Sequence, residues 1–232
     1  MGIAEALRKV QSQIVHAALK SGRNPAHIKL VAVTKTVDMP EIIEAIQAGA
    51  LILGENRVQE AQKKVKSYEL GVMSEKIEWH LIGNLQKNKA KTAVELFDLI
   101  HSVDSAGLAE EVDNHARKTG KKQRVLVQVK LSDEATKHGI TENNLMDLLT
   151  KIAKMDCLKM EGLMTMPPYF EDPEKTRPYF RKLKQLAVKA IEKGLMLHEL
   201  SMGMSNDFEV AIEEGATLVR VGTAIFGERD LP

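Results

Sequence analysis

The sequence predicts an α/β fold: a (β/α)8 TIM barrel built as a single domain over residues 1–232, with an extra N-terminal helix. Three observations predict it. Short apolar or β-branched runs alternate with helical stretches eight times along the chain, the pattern of a parallel sheet with helices outside it. The 232 residues allow about 29 residues per unit, enough for a strand, a helix and two loops. The chemically unusual residues also fall at one place in each unit. Lys35, Asn56, His80 with Asn84, Thr165, Ser201, and Arg220 to Thr223 each finish or follow a strand, at the barrel face that carries active sites. That coincidence across six units favours the barrel over an open, doubly wound sheet.

The elements follow in order. Met1–Lys20 reads as an amphipathic helix broken by Glu5, Arg8, Lys9 and His16; it stands in for the missing last helix, and it lacks the apolar core of a signal peptide. The first strand is Leu30–Thr34. Asp38 then caps a helix with Pro40 in its first turn, and Gly49 closes it, the usual cap asymmetry. Strands Leu51–Leu53, Ile77–Ile82 and Leu99–Val103 come next, and Ser105 and Gly120 bracket another helix. Val125–Lys130 and Lys159–Thr165 are the fifth and sixth strands. Asp172-Pro173 starts what reads as the longest helix, through Leu183, Leu186 and Ile191 to Gly194. Strands Leu197–Leu200 and Thr217–Val221 complete the eight. No Pro/Gly/Ser-rich linker divides the chain.

Composition removes several function classes. Lys and Arg number 33 against 32 Asp and Glu, a formal net charge of +1, so there is no broad basic field for nucleic acid. Lys87, Lys89 and Lys91 make a local basic run that a solvated helix face explains. The single cysteine, Cys157, excludes an intrachain disulfide and reads as a small buried hydrophobe. The seven histidines show no tight metal-ligand spacing, so no metal site is expected. No segment is long and apolar enough to span a bilayer, and the expected location is the cytoplasm.

Two stretches carry the chemistry. Leu200-Ser-Met-Gly-Met-Ser205 and Arg220-Val-Gly-Thr-Ala-Ile-Phe-Gly227 place hydroxyl-bearing, glycine-containing turns after the last two strands. Ser201, Ser205, Gly222 and Thr223 there suit a phosphate cup. Near the other end of the chain, Leu30-Val-Ala-Val-Thr-Lys35 is an apolar strand finishing in a lysine that shares a face with Val31 and Val33. A lysine facing a phosphate cup can hold a phosphorylated aldehyde as a Schiff base; the plain alternative is a lysine reaching to solvent. Arg220 either forms a structural ion pair with a carboxylate such as Glu199 or meets the ring nitrogen of a pyridine cofactor. His80 is either a satisfied core histidine or a cofactor contact, and Asn56 either a helix N-cap or a polar cofactor contact.

These segments resemble the pyridoxal phosphate homeostasis proteins, the YggS/PROSC family. The resemblance covers nearly the full length and rests on seven ordered motifs: Val31-Ala-Val-Thr-Lys35, Gly54-Glu-Asn-Arg-Val-Gln-Glu60, Trp79-His-Leu-Ile-Gly-Asn-Leu-Gln-Lys-Asn-Lys89, His101-Ser-Val-Asp-Ser105, Gly162-Leu-Met-Thr-Met-Pro167, Leu200-Ser-Met-Gly-Met-Ser205 and Val219-Arg-Val-Gly-Thr-Ala-Ile-Phe-Gly227. It implies a barrel of the alanine racemase N-terminal type with pyridoxal 5′-phosphate on Lys35. It also implies phosphate contacts at Ser201, Ser205, Gly222 and Thr223, and Arg220 at the pyridine nitrogen. Leu131-Ser-Asp-Glu-Ala-Thr-Lys-His-Gly139 departs from the pattern in its lead-in and takes no role.

The expected function is a non-catalytic carrier or regulator of pyridoxal phosphate in intracellular vitamin B6 homeostasis. The alternative is a pyridoxal-phosphate-dependent amino-acid racemase. Racemases of this barrel type add a β-rich second domain and an opposing tyrosine, whereas here the eight units consume the chain and Tyr68, Tyr169 and Tyr179 lie in or beside helices. The expected partners are pyridoxal phosphate and the apo-enzymes that use it, and the expected state is a monomer.

Overall fold

The computed structural model describes residues 2–70, 76–132, 134 and 137–228. Met1 of the predicted first helix, and Asp133, Ala135 and Thr136 of the divergent segment, lie outside them. Eight parallel strands close into a barrel in sequence order. They are β1 (Lys29–Val33), β2 (Ile52–Glu55), β3 (Glu78–Leu81), β4 (Leu99–Val103), β5 (Gln123–Gln128), β6 (Leu158–Met164), β7 (Glu199–Ser201) and β8 (Leu218–Val221). The last strand pairs with the first, with Val31 beside Arg220 and Lys29 beside Leu218. All eight predicted strands are present, so the fold is the predicted TIM barrel.

The helices are α1 (Ile3–Lys20), α2 (Met39–Gln47), α3 (Val58–Leu70), α4 (Ala90–Leu96), α5 (Ala106–Thr119), α6 (Glu142–Ile152), α7 (Arg177–Glu192), α8 (Phe208–Glu213) and α9 (Thr223–Phe226). Helix α1 buries Ala6, Leu7, Val10, Ile14 and Ala17, the i, i+3/i+4 stripe its sequence predicts. It packs on α8, α9 and α2, covering the gap left by the four-residue α9. The caps fall where expected: Asp38 and Glu41 form a capping box, and Gly120 ends α5 in the left-handed region with φ 66°. One expectation changes. The segment from Asp172 begins as a 3-10 turn over Pro173–Thr176, and α7 itself has 16 residues against 18 in α1. Pro178 explains the break, because a prolyl ring clashes with the carbonyl four residues earlier in a continuous helix. No helix among the described residues is long and apolar enough to cross a membrane.

Strand alternation divides the core into two layers. Val31, Val33, Ile82, Leu99, Leu126, Met164 and Leu218 pack together inside the barrel. Ala32, Leu53, Leu81, Ile100, Val127, Leu163 and Val219 face outward into the larger layer beneath the helices. Because side chains alternate with period two, Lys35 continues the inward phase of β1, and Arg220 that of β8. The same rule turns His80 and Glu78 of β3, and His101 of β4, into the barrel.

Candidate functional site

A cavity of about 750 Å³ opens at the C-terminal ends of the strands, lined by Lys35, Asn56, Ser205, Arg220, Gly222 and Thr223. Val33, Ile82 and Met166 give it apolar walls, and Tyr169 and Phe170 stand at its edge. Thus six of the seven residues singled out from the sequence line one cavity, though they come from four separate strand ends.

Lys35 sits two residues past β1, half-buried, where the chain turns through Thr36 at φ 57°. A β-branched residue at positive φ is strained, and a buried cluster holds it there. Lys64 of α3 donates to the Thr34 carbonyl at 2.6 Å, to Glu55 at 2.9 Å and to Glu60 at 2.6 Å. Glu60 also accepts from the Thr36 amide at 2.6 Å, and Thr34 Oγ1 donates to Glu55 at 2.5 Å. The backbone on both sides of Lys35 is therefore tied to one cluster. Burial pushes the Glu55 carboxyl above its ordinary range, with Lys64 opposing the shift. Sequence reasoning missed this group; its only local trace is the i, i+4 pair Glu60 and Lys64. Asn56 follows β2, and Gly83 makes room for it: a Cβ at Gly83 would lie 2.2 Å from the Asn56 carbonyl oxygen.

Arg220 is buried in the cavity floor. Its Nη1 donates to Ser201 Oγ at 2.5 Å and its Nη2 to the Thr165 carbonyl at 2.9 Å. The predicted alternative, an ion pair with Glu199, does not occur. Glu199 accepts instead from Lys29 at 2.6 Å and from Thr217 at 2.5 Å. Burial lowers the Arg220 pKa to about 10, partly offset by Asp207, so the guanidinium remains a cation at neutral pH.

The cup lies over α9. Ser205 Oγ accepts from the amides of Gly222 at 3.2 Å and Ala224 at 3.3 Å, so two directed backbone donors already converge on a single oxygen. Gly203 permits the turn that brings Ser205 there. It has φ 91°, and a Cβ on it would lie 2.9 Å from Phe208 Cα. Ser201 is not among the cavity-lining residues. It is buried one layer lower, with its oxygen shared between Arg220 and His101 Nδ1, the latter at 2.8 Å. Its position at the end of β7 was legible; its depth was not. His80 is a satisfied core histidine, bonded to His101 at 3.0 Å and Glu78 at 3.1 Å, and does not line the cavity. Thr165 is buried and contributes its carbonyl, and Asn84 is exposed away from the cavity.

The remaining sequence features fall into ordinary places. Cys157 is half-buried against the outer core layer, and Lys87 and Lys91 are exposed. Among the described residues one carboxylate–imidazole group, Glu161 with His198 and Glu199, lies within mutual ligating reach. Both carboxylates there are already engaged by cations, Glu161 by Arg124 and Lys159 and Glu199 by Lys29.

Residues 10–230 match the alanine racemase N-terminal domain family. The pyridoxal phosphate homeostasis protein of Aquifex aeolicus is 44% identical over 230 residues, covering 99% of each chain. The structure of PipY from Synechococcus elongatus with PLP bound is 39% identical, covers 97% of this chain and 100% of that one, and superposes with a TM-score of 0.86. An alanine racemase from Clostridium difficile shares the fold alone, at 16% identity and a TM-score of 0.75, with 58% of its chain covered. Sequence, barrel and cavity agree: the chain belongs to the pyridoxal phosphate homeostasis protein family, built on the alanine racemase N-terminal barrel.

Proposed function

We propose that this chain binds pyridoxal 5′-phosphate at the mouth of its barrel and serves as a non-catalytic carrier or regulator of that cofactor in intracellular vitamin B6 homeostasis. The observation that carries the reading is the convergence of Lys35, Arg220 and the Ser205–Gly222–Thr223 cup in one cavity of about 750 Å³. Each group of the cofactor finds a complementary partner. The Lys35 amine meets the aldehyde and holds it as a Schiff base, with loss of water. The Gly222 and Ala224 amides, which already converge on one oxygen, suit a phosphate, and Thr223 and Ser205 add hydroxyls. Arg220, still a cation at neutral pH, faces the ring nitrogen and keeps it unprotonated by like-charge repulsion.

Bound pyridoxal phosphate supplies an electron sink for bonds at an amino-acid α-carbon. This chain's residues weaken that use, because a ring nitrogen held unprotonated by Arg220 is a poorer sink. The tyrosine nearest the cavity, Tyr169, is 74% exposed, a wet position rather than a fixed acid or base. We further propose that residues 1–232 act as one domain, a cytoplasmic monomer that exchanges cofactor with apo-enzymes.

Two measurements test the reading. Pyridoxal lacking the phosphate should bind roughly a hundredfold or more weakly than pyridoxal phosphate, since each hydrogen bond to a charged acceptor contributes about 1.5–3 kcal/mol. Equal affinities would show the cup to be misread. Holo-protein incubated with single enantiomers of alanine or serine should leave chirality unchanged; turnover of about 1–10³ per second would establish the racemase alternative instead.

A further inference from the structure

A column of buried polar side chains runs through the barrel from the cavity floor toward the opposite end. Arg220 Nη1 donates to Ser201 Oγ at 2.5 Å. Ser201 Oγ lies 2.8 Å from His101 Nδ1, His101 Nε2 lies 3.0 Å from His80 Nδ1, and His80 Nε2 lies 3.1 Å from Glu78 Oε2. Ser201, His80 and His101 are buried. Glu78, at the start of β3, is 40% exposed in its side chain and accepts from Arg124 at 2.7 Å. Four strands supply these residues: β8, β7, β4 and β3.

Burial lowers the pKa of both imidazoles, which leaves them neutral at neutral pH, and with neutral rings the ends of the column fix the direction of every bond in it. A guanidinium can only donate, and a carboxylate paired with Arg124 can only accept. His80 must then donate from Nε2 to Glu78, which leaves its Nδ1 to accept from His101 Nε2. His101 Nδ1 is left to accept the Ser201 hydroxyl proton. The two neutral imidazoles are therefore both Nε2–H tautomers, and the Ser201 proton is committed inward, away from the cavity. The column has a further consequence for Arg220. Among the described residues no carboxylate pairs directly with that buried cation. The aligned dipoles of the column, ending on the Glu78 carboxylate, supply the nearest hydrogen-bonded compensation.

We propose that the Ser201–His101–His80–Glu78 column positions the Arg220 guanidinium and sets its hydrogen bonding to the ring nitrogen of the bound cofactor, with His101 as the decisive positioning residue. The inference rests on the cofactor reading above. It assigns Ser201 to the support of Arg220 rather than to the phosphate.

Two experiments test it. In cofactor-free wild-type protein labelled with ¹⁵N-histidine, His80 and His101 should both appear as neutral Nε2–H tautomers at neutral pH. An Nδ1–H tautomer or an imidazolium at either position overturns the column, and this measurement needs no variant to fold. The second compares His101→Phe, which cuts the chain while filling its space, with His101→Gln, which can still accept from Ser201 and donate to His80. His101→Phe should shift the near-visible band of bound pyridoxal phosphate and weaken its binding roughly tenfold. His101→Gln should recover most of both. Loss of thermal stability in His101→Phe with band and affinity unchanged would reduce the column to a structural role and overturn the inference alone. A wild-type protein that shows no Schiff-base absorption band with pyridoxal phosphate would overturn the cofactor reading and the inference together.

Discussion

At the residue scale, strand phase was the readable quantity and depth was not. Val31, Val33 and Leu218 line the barrel interior, so Lys35 and Arg220 could be placed inward from alternation alone. The same reasoning grouped Ser201 with Ser205, yet Ser201 lies in the buried layer below and bonds Arg220 and His101. Nothing local to Leu200–Ser205 encodes how far along the barrel axis β7 ends. Members of the same column such as His101 and Glu78 lie a hundred or more positions from Ser201 in sequence and are legible only through closure of the sheet. Glu78 also yields a pH prediction. Its hydrogen bond from His80, then its contact with Arg124, hold the carboxyl down to about 2 from an ordinary 4.5. A carboxyl whose pKa is depressed by folding stabilises the protein above its unfolded value and loses that contribution as pH falls through the folded one. Unfolding midpoints of wild type and Glu78→Gln should therefore differ at neutral pH and converge between about pH 4.5 and 2. A gap that widens toward acid would contradict the assignment.

At the element scale, caps and turns did most of the predictable work. Asp38, Ser105 and Gly120 mark helix ends in the sequence and in the structure. The segment after Asp172 was the exception, because two prolines split it into a 3-10 turn and a helix. The turn between β7 and α8 carries the sharper test. Gly203 has φ 91° and lies so close to Phe208 that a Cβ would sit 2.9 Å from its Cα. Gly203→Ala should cost about 1–3 kcal/mol and move Ser205 away from the Gly222 and Ala224 amides. Urea unfolding should show the loss of stability, and a cofactor titration should show weakened binding at temperatures where the variant remains folded. Unchanged cofactor affinity would mean that this turn does not shape the cup.

At the scale of the whole molecule, eight alternating units with one mislaid helix were enough to read the barrel. Helix α1 takes the place expected of the missing last helix: it covers the seam that the short α9 leaves open. The clamp of Lys64, Glu55 and Glu60 behind Lys35 left only the i, i+4 pair Glu60 and Lys64 as a trace, because its hydrogen bonds and ion pairs join α3 to the ends of β1 and β2 across the fold. Leu7, fully buried on α1, should behave as core of the same domain. Leu7→Ala should lower stability by about 2–5 kcal/mol while keeping one cooperative transition. Fluorescence of Trp79 and far-ultraviolet circular dichroism should report that transition together. A separate early transition for the N-terminal helix would show that α1 is an appendage rather than part of the barrel.

The most direct measurement is chemical. Protein loaded with pyridoxal phosphate is treated with borohydride, digested, and the modified peptide identified. The account predicts the pyridoxyl group on Lys35, the lysine that lines the cavity with Arg220 and Thr223. Lys35→Ala should lose the Schiff-base absorption band and the covalent adduct while retaining weaker, non-covalent binding through the cup. Reduction that fixes the cofactor chiefly on another lysine, or a Lys35→Ala protein with the band intact, would contradict it.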